Sequence, residues 1–394
     1  MGLGVVSSLA NADPRRAVAV GALATVVCSV PVFLTGAMAV QLTTELEFGP
    51  VGLGAAVAAF FAAMAVSSTH LGRLADRLGA ILSLRLATVG ASLGAGGIAL
   101  LAVSWSSLVA WLVLAGTSAA LAQPAANRLL INRVPRERLG VAFGLKQSAP
   151  PLASMLAGLA VPLIALTVGW RWAYGLAAGS ALLMVAAVGR RPPVPLRARG
   201  DTTRRAPLRD RATLVVMASG FGLAFATSSA LLGFYVDAAV RAGTAQRVAA
   251  LVFAAASLAA ISVRLLAGMV VDRTRVRPLR LCAALLVVGA SGLLLLSVGQ
   301  PSVMAAGAIF GLAGTWGFPG VFWFALVRAY PQTPGRITGA MAPAAMGGVA
   351  GPVGFGVLAA GVSYAAAWAT AGLLALLAAA AMLHGARRLG ESVQ

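Results

Sequence analysis

Charged residues are scarce in this sequence. Asp, Glu, Lys and Arg make up 10% of the 394 residues, whereas hydrophobic residues make up 60% and the mean hydropathy is +0.91. Soluble domains carry about 25% charged residues, so this composition excludes a soluble globular protein. Apolar runs of about 20 residues recur along the chain, and that length is typical of transmembrane helices. We therefore predict an all-α integral membrane protein surrounded by the lipid bilayer.

Cysteine and histidine are rarer still. Cys28 and Cys282 fall in separate predicted spans, and His70 and His384 are the only histidines. Two cysteines and two histidines this far apart in the sequence exclude a cluster of metal ligands and favour structural thiols over a disulfide. No nucleophile, base and orienting group converge in the sequence. We expect no metal, no cofactor and no enzyme activity.

Acidic residues are outnumbered, because 10 Asp and Glu face 30 Lys and Arg, which gives a net charge of +20. The arginines lie at the ends of apolar runs and form no patch with interleaved aromatics, so we expect no nucleic-acid partner. Basic residues beside the spans mark the cytoplasmic side. With the N-terminus inside, Arg171, Arg241 and Arg247 lie outside and the other arginines lie inside. We predict a multi-pass protein of the cell inner membrane with both termini in the cytoplasm.

Twelve apolar runs are long enough to cross a bilayer. The predicted spans are 17–42, 50–71, 81–103, 106–132, 139–166, 170–189, 212–238, 245–270, 278–299, 302–329, 336–361 and 364–386. Residues 190–211, rich in arginine and proline, are predicted to be a cytoplasmic linker between a six-helix half at 1–189 and another at 212–394. Two parallel repeats with an even number of spans lie side by side about an axis normal to the membrane. We expect a monomer.

A short motif occurs at equivalent places in the two halves. It comprises Gly72, Asp76 and Arg77 after the second span, and Gly268, Asp272 and Arg273 after the eighth. The first copy, in the stretch GRLADRLG, resembles the loop signature of the major facilitator superfamily of secondary transporters. The resemblance covers nearly the whole chain and implies twelve helices in two six-helix repeats.

We predict that these six residues form a conformational latch. An acidic residue at a helix end can cap backbone N–H groups and pair with arginine across the bundle interface. Glycine lets neighbouring helices approach, and such contacts can stabilise one access state over another. The alternative is that the two aspartates only solvate and orient a loop.

The single lysine, Lys146, lies inside an apolar run. It is about seven residues into the fifth span, so it should lie ~10 Å from the helix end at 1.5 Å per residue. A cation at the centre of a spanning helix costs roughly 2.5–3.5 kcal/mol. No acidic residue falls in the middle of a predicted span. Either Lys146 contacts an anionic substrate, or it is satisfied near the interface by water, helix-end carbonyls or Glu137.

The other predicted substrate-binding residues lie near Lys146 or in the central cavity expected between the repeats. They are Gln147, Gln123, Asn127, Ser29, Thr227, Ser228, Trp316 and Trp323. Gln123 and Asn127 are four residues apart and share one face of the fourth span. Helix packing or interfacial anchoring is the alternative role for these residues taken singly. Arg128 and Arg264 are interpreted as cytoplasmic anchors, with a second anion contact as the alternative.

These features predict a secondary active or facilitative transporter that moves a small-molecule substrate by alternating access. The stretch GLKQSAPP resembles the cyanate-permease-like and organic-anion members of the superfamily, which favours a small anion such as a monocarboxylate or a cyanate-like solute. The sequence leaves three forms of coupling open: a proton carried by Lys146, exchange for a counter-anion, or no coupling ion. The alternatives are efflux of amphipathic drugs and a membrane sensor or scaffold that transports nothing.

Overall fold

The computed structural model describes residues 14–135, 138–189, 211–274, 276–330 and 340–389, which are almost entirely helical. The first six spans are Pro14–Ala37 with Ala39–Glu45 (first), Pro50–Leu101 (second and third), Trp105–Arg133 (fourth), Leu139–Gln147 with Ala149–Ala160 and the π-turn Val161–Ala165 (fifth), and Trp170–Val188 (sixth). The last six spans are Arg211–Arg241 (seventh), Gln246–Arg273 (eighth), Pro278–Leu296 (ninth), Pro301–Gly317 with Pro319–Ala329 (tenth), the 3-10 turn Ala342–Met346 with Gly347–Gly361 (eleventh), and Tyr364–Arg388 (twelfth). The prediction of twelve spans is confirmed.

The second and third spans meet at a kink inside Pro50–Leu101, so the connector between them is shorter than the sequence predicted. This stretch consists of two helices, each long enough for one bilayer crossing. Its backbone leaves the helical conformation at Gly79, where φ is 78° and ψ is 166°. Glycine reaches positive φ without a steric penalty. The motif beginning at Gly72 therefore forms the last turns of the second span, and the chain bends only at Gly79.

The first six spans pack in a pattern that the last six repeat. The fourth span packs on the second and third, as the tenth packs on the eighth and ninth, and the sixth packs on the third as the twelfth packs on the ninth. The second span meets the eleventh, and the fifth meets the eighth, to join the two sets. Of the predicted linker 190–211, only Arg211 lies within the described residues, and the predicted domain boundaries stay a prediction.

The two ends of the bundle differ in their charges. We call the end with Gly79, Arg133 and Arg273 the basic end, and the end with Glu45 and Arg171 the opposite end. Alternate spans run in opposite directions, so each span joins one end to the other. These names fix the depth of each residue without assigning a side of the membrane.

Glycines bring the two sets of six spans into backbone contact towards the opposite end. A Cβ atom on Gly36 of the first span would lie 2.1 Å from the carbonyl oxygen of Leu232 in the seventh. A Cβ atom on Gly54 of the second span would lie 2.2 Å from the carbonyl oxygen of Pro352 in the eleventh. No side chain fits at either position unless the helices separate, and glycine permits this close packing of membrane helices.

The fifth span shows where the two sets meet. Its segment Leu139–Gln147 packs on the first and fourth spans, whereas Ala149–Ala160 packs on the first and eighth. Ser154 Oγ donates to Ser257 Oγ of the eighth span at 2.8 Å, and both side chains are fully buried. Contact between the fifth and eighth spans is thus concentrated from the centre of the bundle towards the opposite end.

Candidate substrate-binding site

Two consecutive prolines, Pro150 and Pro151, interrupt the fifth span about one helical turn after Lys146. The helix Leu139–Gln147 ends at Ser148, and the next helix starts at Ala149. Proline has no N–H, so Pro151 cannot donate to the carbonyl oxygen four residues earlier, that of Gln147. Backbone groups freed in this way within a membrane need other partners. The break predicted from the sequence therefore leaves a carbonyl acceptor beside the lysine.

Lys146 is buried in the bundle, with only 2% of its surface exposed. Its Nζ donates a hydrogen bond to Oε1 of Gln123 in the fourth span. The amine therefore faces a neutral amide inside the protein and not the aqueous surface. Glu137, the carboxylate considered as its partner, lies outside the described residues.

The described carboxylates that form ion pairs do so away from Lys146. The three pairs among the described side chains join Asp76 to Arg128, Glu45 to Arg171 and Asp237 to Arg241. Lys146 takes part in none of them. Within the described part of the chain, its positive charge is hydrogen-bonded but not neutralised.

The amides of the fourth span extend the polar surface beside the amine. Gln123 binds Lys146, and Asn127 lies one helical turn further toward the basic end. The Oδ1 atom of Asn127 is buried and has no hydrogen-bond partner among the described residues. A side-chain amide can donate as well as accept, so both residues can offer N–H groups to a bound anion.

Arg264 of the eighth span completes the site from the other set of helices. It donates through Nη1 to the carbonyl oxygen of Gln147 and through Nε to that of Trp316, the latter at 3.1 Å. A second nitrogen, Nη2, also donates to Trp316. Arg264 forms no ion pair among the described residues. The structure thus brings Arg264 against the residue that follows Lys146, which the anchor interpretation did not anticipate.

One signal in the sequence points to Arg264. It precedes the predicted end of the eighth span, residue 270, by six residues, which places it ~9 Å inside the helix at 1.5 Å per residue. A surface anchor needs no such depth. Its contact with the proline-freed carbonyl of Gln147, however, depends on how the fifth and eighth spans meet.

The hydroxyls predicted on the first and seventh spans are occupied by backbone groups. Ser29 donates to Thr25 at 2.8 Å, and Thr227 donates to Ala224 at 2.9 Å. Ser228 also reaches the tenth span, where it donates to the carbonyl oxygen of Thr315 at 3.2 Å. Pro319, four residues on, cannot donate to that oxygen. These three side chains therefore satisfy helix backbone in this state and are not joined to Lys146.

The two predicted tryptophans differ in their surroundings. Trp316 packs edge-on against Phe33 of the first span, with ring centroids 5.7 Å apart, and its carbonyl oxygen binds Arg264. Trp323 packs in an aromatic cluster with Phe221, at 5.9 Å, nearer the basic end. Trp316 therefore adjoins the site through its backbone, whereas the described contacts of Trp323 are with aromatic rings.

The first copy of the predicted latch pairs within its own set of helices. Asp76 forms an ion pair with Arg128 of the fourth span, and Arg128 also donates to the carbonyl oxygen of Ala75 at 3.1 Å. The expectation of a pair across the bundle interface is wrong for this copy, because both partners belong to the first six spans. Within the described part of the chain, the polar contacts of Arg128 are with Asp76 and Ala75 and not with Lys146 or the last six spans.

The latch glycines do not serve close packing as expected. Cβ atoms on Gly72 and Gly268 would meet no described residue within 4 Å, so neither glycine lies at a tight contact between the described helices. Arg77 and Arg273 are exposed, and the side chain of Asp272 lies outside the described part of the structure. The role of the second copy stays a prediction.

The helices and the buried polar site define a class of protein. They describe a twelve-span membrane protein with two similarly packed sets of six helices and buried polar side chains at the boundary between the sets, where transporters built from repeats bind their substrates. The family model of the Major Facilitator Superfamily matches residues 21–345, and the chain belongs to this superfamily of membrane transporters.

Solved structures with the same fold include three transporters. A D-xylose-proton symporter aligns with a TM-score of 0.76 over 93% of this chain and 96% of its own, at 16% identity. The xylose transporter XylE from E. coli, in a partially occluded inward-open conformation, aligns with a TM-score of 0.77 over 94% of this chain and 99% of its own, also at 16% identity. A bacterial homologue of the human lysosomal transporter Spinster, inward-facing and occupied, aligns at 0.75 over 96% and 98%, at 16% identity. These similarities show the fold alone. A comparison with curated protein sequences finds no match.

Proposed function

We propose that this protein carries a small organic anion across the membrane by alternating access and that Lys146 binds the anion. One observation carries the proposal: the Lys146 amine is buried against Gln123 and, among the described side chains, has no carboxylate partner. A charged side chain inside a membrane protein is costly and marks substrate or ion pathways. An anion that replaces or joins the Gln123 amide supplies the missing negative charge.

Efflux of amphipathic cations fits the site less well. A cationic drug would enter a region that holds Lys146 and Arg264, and like charges in a region of low dielectric repel strongly. The described ion pairs leave no buried carboxylate at this site to offset that repulsion. An anion meets favourable charge from both residues.

We propose that the basic end faces the cytoplasm, since basic residues concentrate on the cytoplasmic side of membrane proteins. Both chain termini then lie inside. The backbone contacts at Gly36 and Gly54 close the bundle towards the opposite end, and Lys146 itself is buried. We propose that substrate reaches Lys146 from the basic end when the helices there move apart.

A thermal-shift screen tests the substrate class. Small organic anions are expected to raise the melting temperature of the purified protein by a few degrees, because a ligand that binds only the folded state stabilises it by about 2.7 kcal/mol at 100 times its dissociation constant. Amphipathic cations should leave the melting temperature unchanged, with sodium chloride at equal ionic strength as the control. Stabilisation by amphipathic cations alone would replace this proposal with drug efflux.

A further inference from the structure

We propose that Arg264 is the second anion-binding residue and that the substrate is an organic dianion, such as a dicarboxylate, bound between Lys146 and Arg264. This inference rests on the proposed function and assigns the substrate its charge. The hydrogen bond from Arg264 to the Gln147 carbonyl joins the two sets of six spans, and we infer that bound substrate replaces it.

The present partners of Arg264 are backbone carbonyls. Its guanidinium donates to the carbonyl oxygens of Gln147 and Trp316, which are neutral acceptors. A carboxylate offers two oxygens and a full negative charge to the planar guanidinium of Arg264. Charge-assisted hydrogen bonds of this kind are roughly twice as strong as neutral ones. An entering carboxylate can therefore displace at least one carbonyl from Arg264.

Pro151 makes this exchange possible. With any other residue at position 151, a backbone N–H could occupy the Gln147 carbonyl within a continuous helix. Because proline leaves that oxygen free, it accepts a hydrogen bond from Arg264 while no anion is bound. The Gln147 carbonyl thus competes with an entering carboxylate for the guanidinium.

Charge balance favours a dianion over a monoanion. Lys146 and Arg264 carry two positive charges within the spans, and neither forms an ion pair with a described carboxylate. A monoanion would leave one of these charges without a counter-charge in a region of low dielectric, where unpaired charge is unfavourable. A dianion neutralises both residues at once.

The dianion would also join the two sets of helices. Lys146 and Gln123 belong to the first six spans, and Arg264 belongs to the last six. One carboxylate on each cation bridges the boundary through the substrate itself. The substrate then connects the two sets of helices in place of the hydrogen bond between Arg264 and the Gln147 carbonyl.

The test compares matched dicarboxylates and monocarboxylates of three to six carbons, with binding to purified protein measured by calorimetry. We expect wild-type protein to bind its best dicarboxylate at least about 30-fold more tightly than the matched monocarboxylate, since a second charge-assisted bond contributes that much. Arg264→Gln should abolish the preference, and Arg264→Lys should retain a weakened one. Arg247→Gln, an exposed position in the same span, is the control with equal charge loss and should bind like wild type.

The outcomes separate this inference from the proposed function. Binding of both classes that depends on Lys146 but shows no dicarboxylate preference, or a preference that survives in Arg264→Gln, overturns the inference and leaves the anion carrier standing. Absence of anion binding overturns both. Arg264→Lys provides the answer if the glutamine variant fails to fold.

Pro151→Ala tests the role of the Gln147 carbonyl separately. The alanine N–H can bond to that oxygen and free Arg264, so dicarboxylate affinity should rise by about three- to tenfold, in line with the modest net strength of one hydrogen bond. Monocarboxylate affinity should change less. An unchanged or lower dicarboxylate affinity in a folded Pro151→Ala protein would contradict the exchange of carbonyl for substrate.

Discussion

Replacement of Lys146 by glutamine is expected to lower anion uptake into proteoliposomes by about 100-fold. Loss of one partner from a buried hydrogen-bonded charge pair costs 2–5 kcal/mol, and each 1.4 kcal/mol is a factor of ten. Glutamine keeps a similar length and a polar end, so the change removes the charge more than the packing. Uptake of radiolabelled substrate in reconstituted vesicles provides the measurement.

A charge swap provides the matched control. Nζ of Lys146 contacts Oε1 of Gln123, so the double variant Lys146→Gln with Gln123→Lys exchanges the two groups across one hydrogen bond. The positive charge then stays at the site but comes from the fourth span. The swap should recover part of the uptake lost by Lys146→Gln, and Gln123→Lys alone should not mimic that loss. Undiminished uptake by folded Lys146→Gln would remove this lysine from the transport site.

Replacement of Gly36 by valine is expected to hold the opposite end open and reduce transport to background. A Cβ atom at this position would lie 2.1 Å from the carbonyl oxygen of Leu232, a backbone group that moves only if the first and seventh spans separate. Overpacking of a tight contact costs typically 1–3 kcal/mol, which shifts a two-state equilibrium by roughly 5- to 150-fold. The variant therefore disfavours the closed state seen here.

Accessibility at the opposite end measures this shift. Thr244→Cys places a thiol in the connector before Gln246, whose Nε2 donates to Gln41 Oε1 across the two sets at 2.7 Å. A membrane-impermeant maleimide should label this thiol about tenfold faster in Gly36→Val than in the reporter alone. Gly49→Val is the matched control, because a Cβ there meets nothing within 4 Å. Equal labelling in folded Gly36→Val protein would contradict closure at Gly36.

Hydropathy alone was sufficient to predict the spans, because each requires only a long apolar run and short connectors. It could not show that the second span continues through the motif at Gly72 and ends at the kink at Gly79, since hydropathy reports polarity and not backbone conformation. Composition also predicted a buried Lys146 with no acidic residue in the middle of a span. The fold and the central residue of the candidate site, Lys146, were therefore predictable from the sequence.

The partners of charged side chains were harder to predict, because they depend on which helix faces meet. Asp76 was expected to act across the bundle interface and instead pairs with Arg128 in its own set of spans. Arg264 was interpreted as an anchor, yet it binds the Gln147 carbonyl across the boundary. Pro151 in the sequence indicates that the Gln147 carbonyl lacks its helical donor. Only the packing of the fifth and eighth spans shows that Arg264 donates to it instead.

The central claim is that a buried lysine without a carboxylate companion binds an anion. Calorimetric titration of purified wild-type and Lys146→Gln proteins with the anion that stabilises the wild type most in the thermal-shift screen tests it most directly. We predict a dissociation constant about 100-fold higher for the variant, while its circular dichroism stays that of the wild type. Equal dissociation constants for the two folded proteins would contradict the claim.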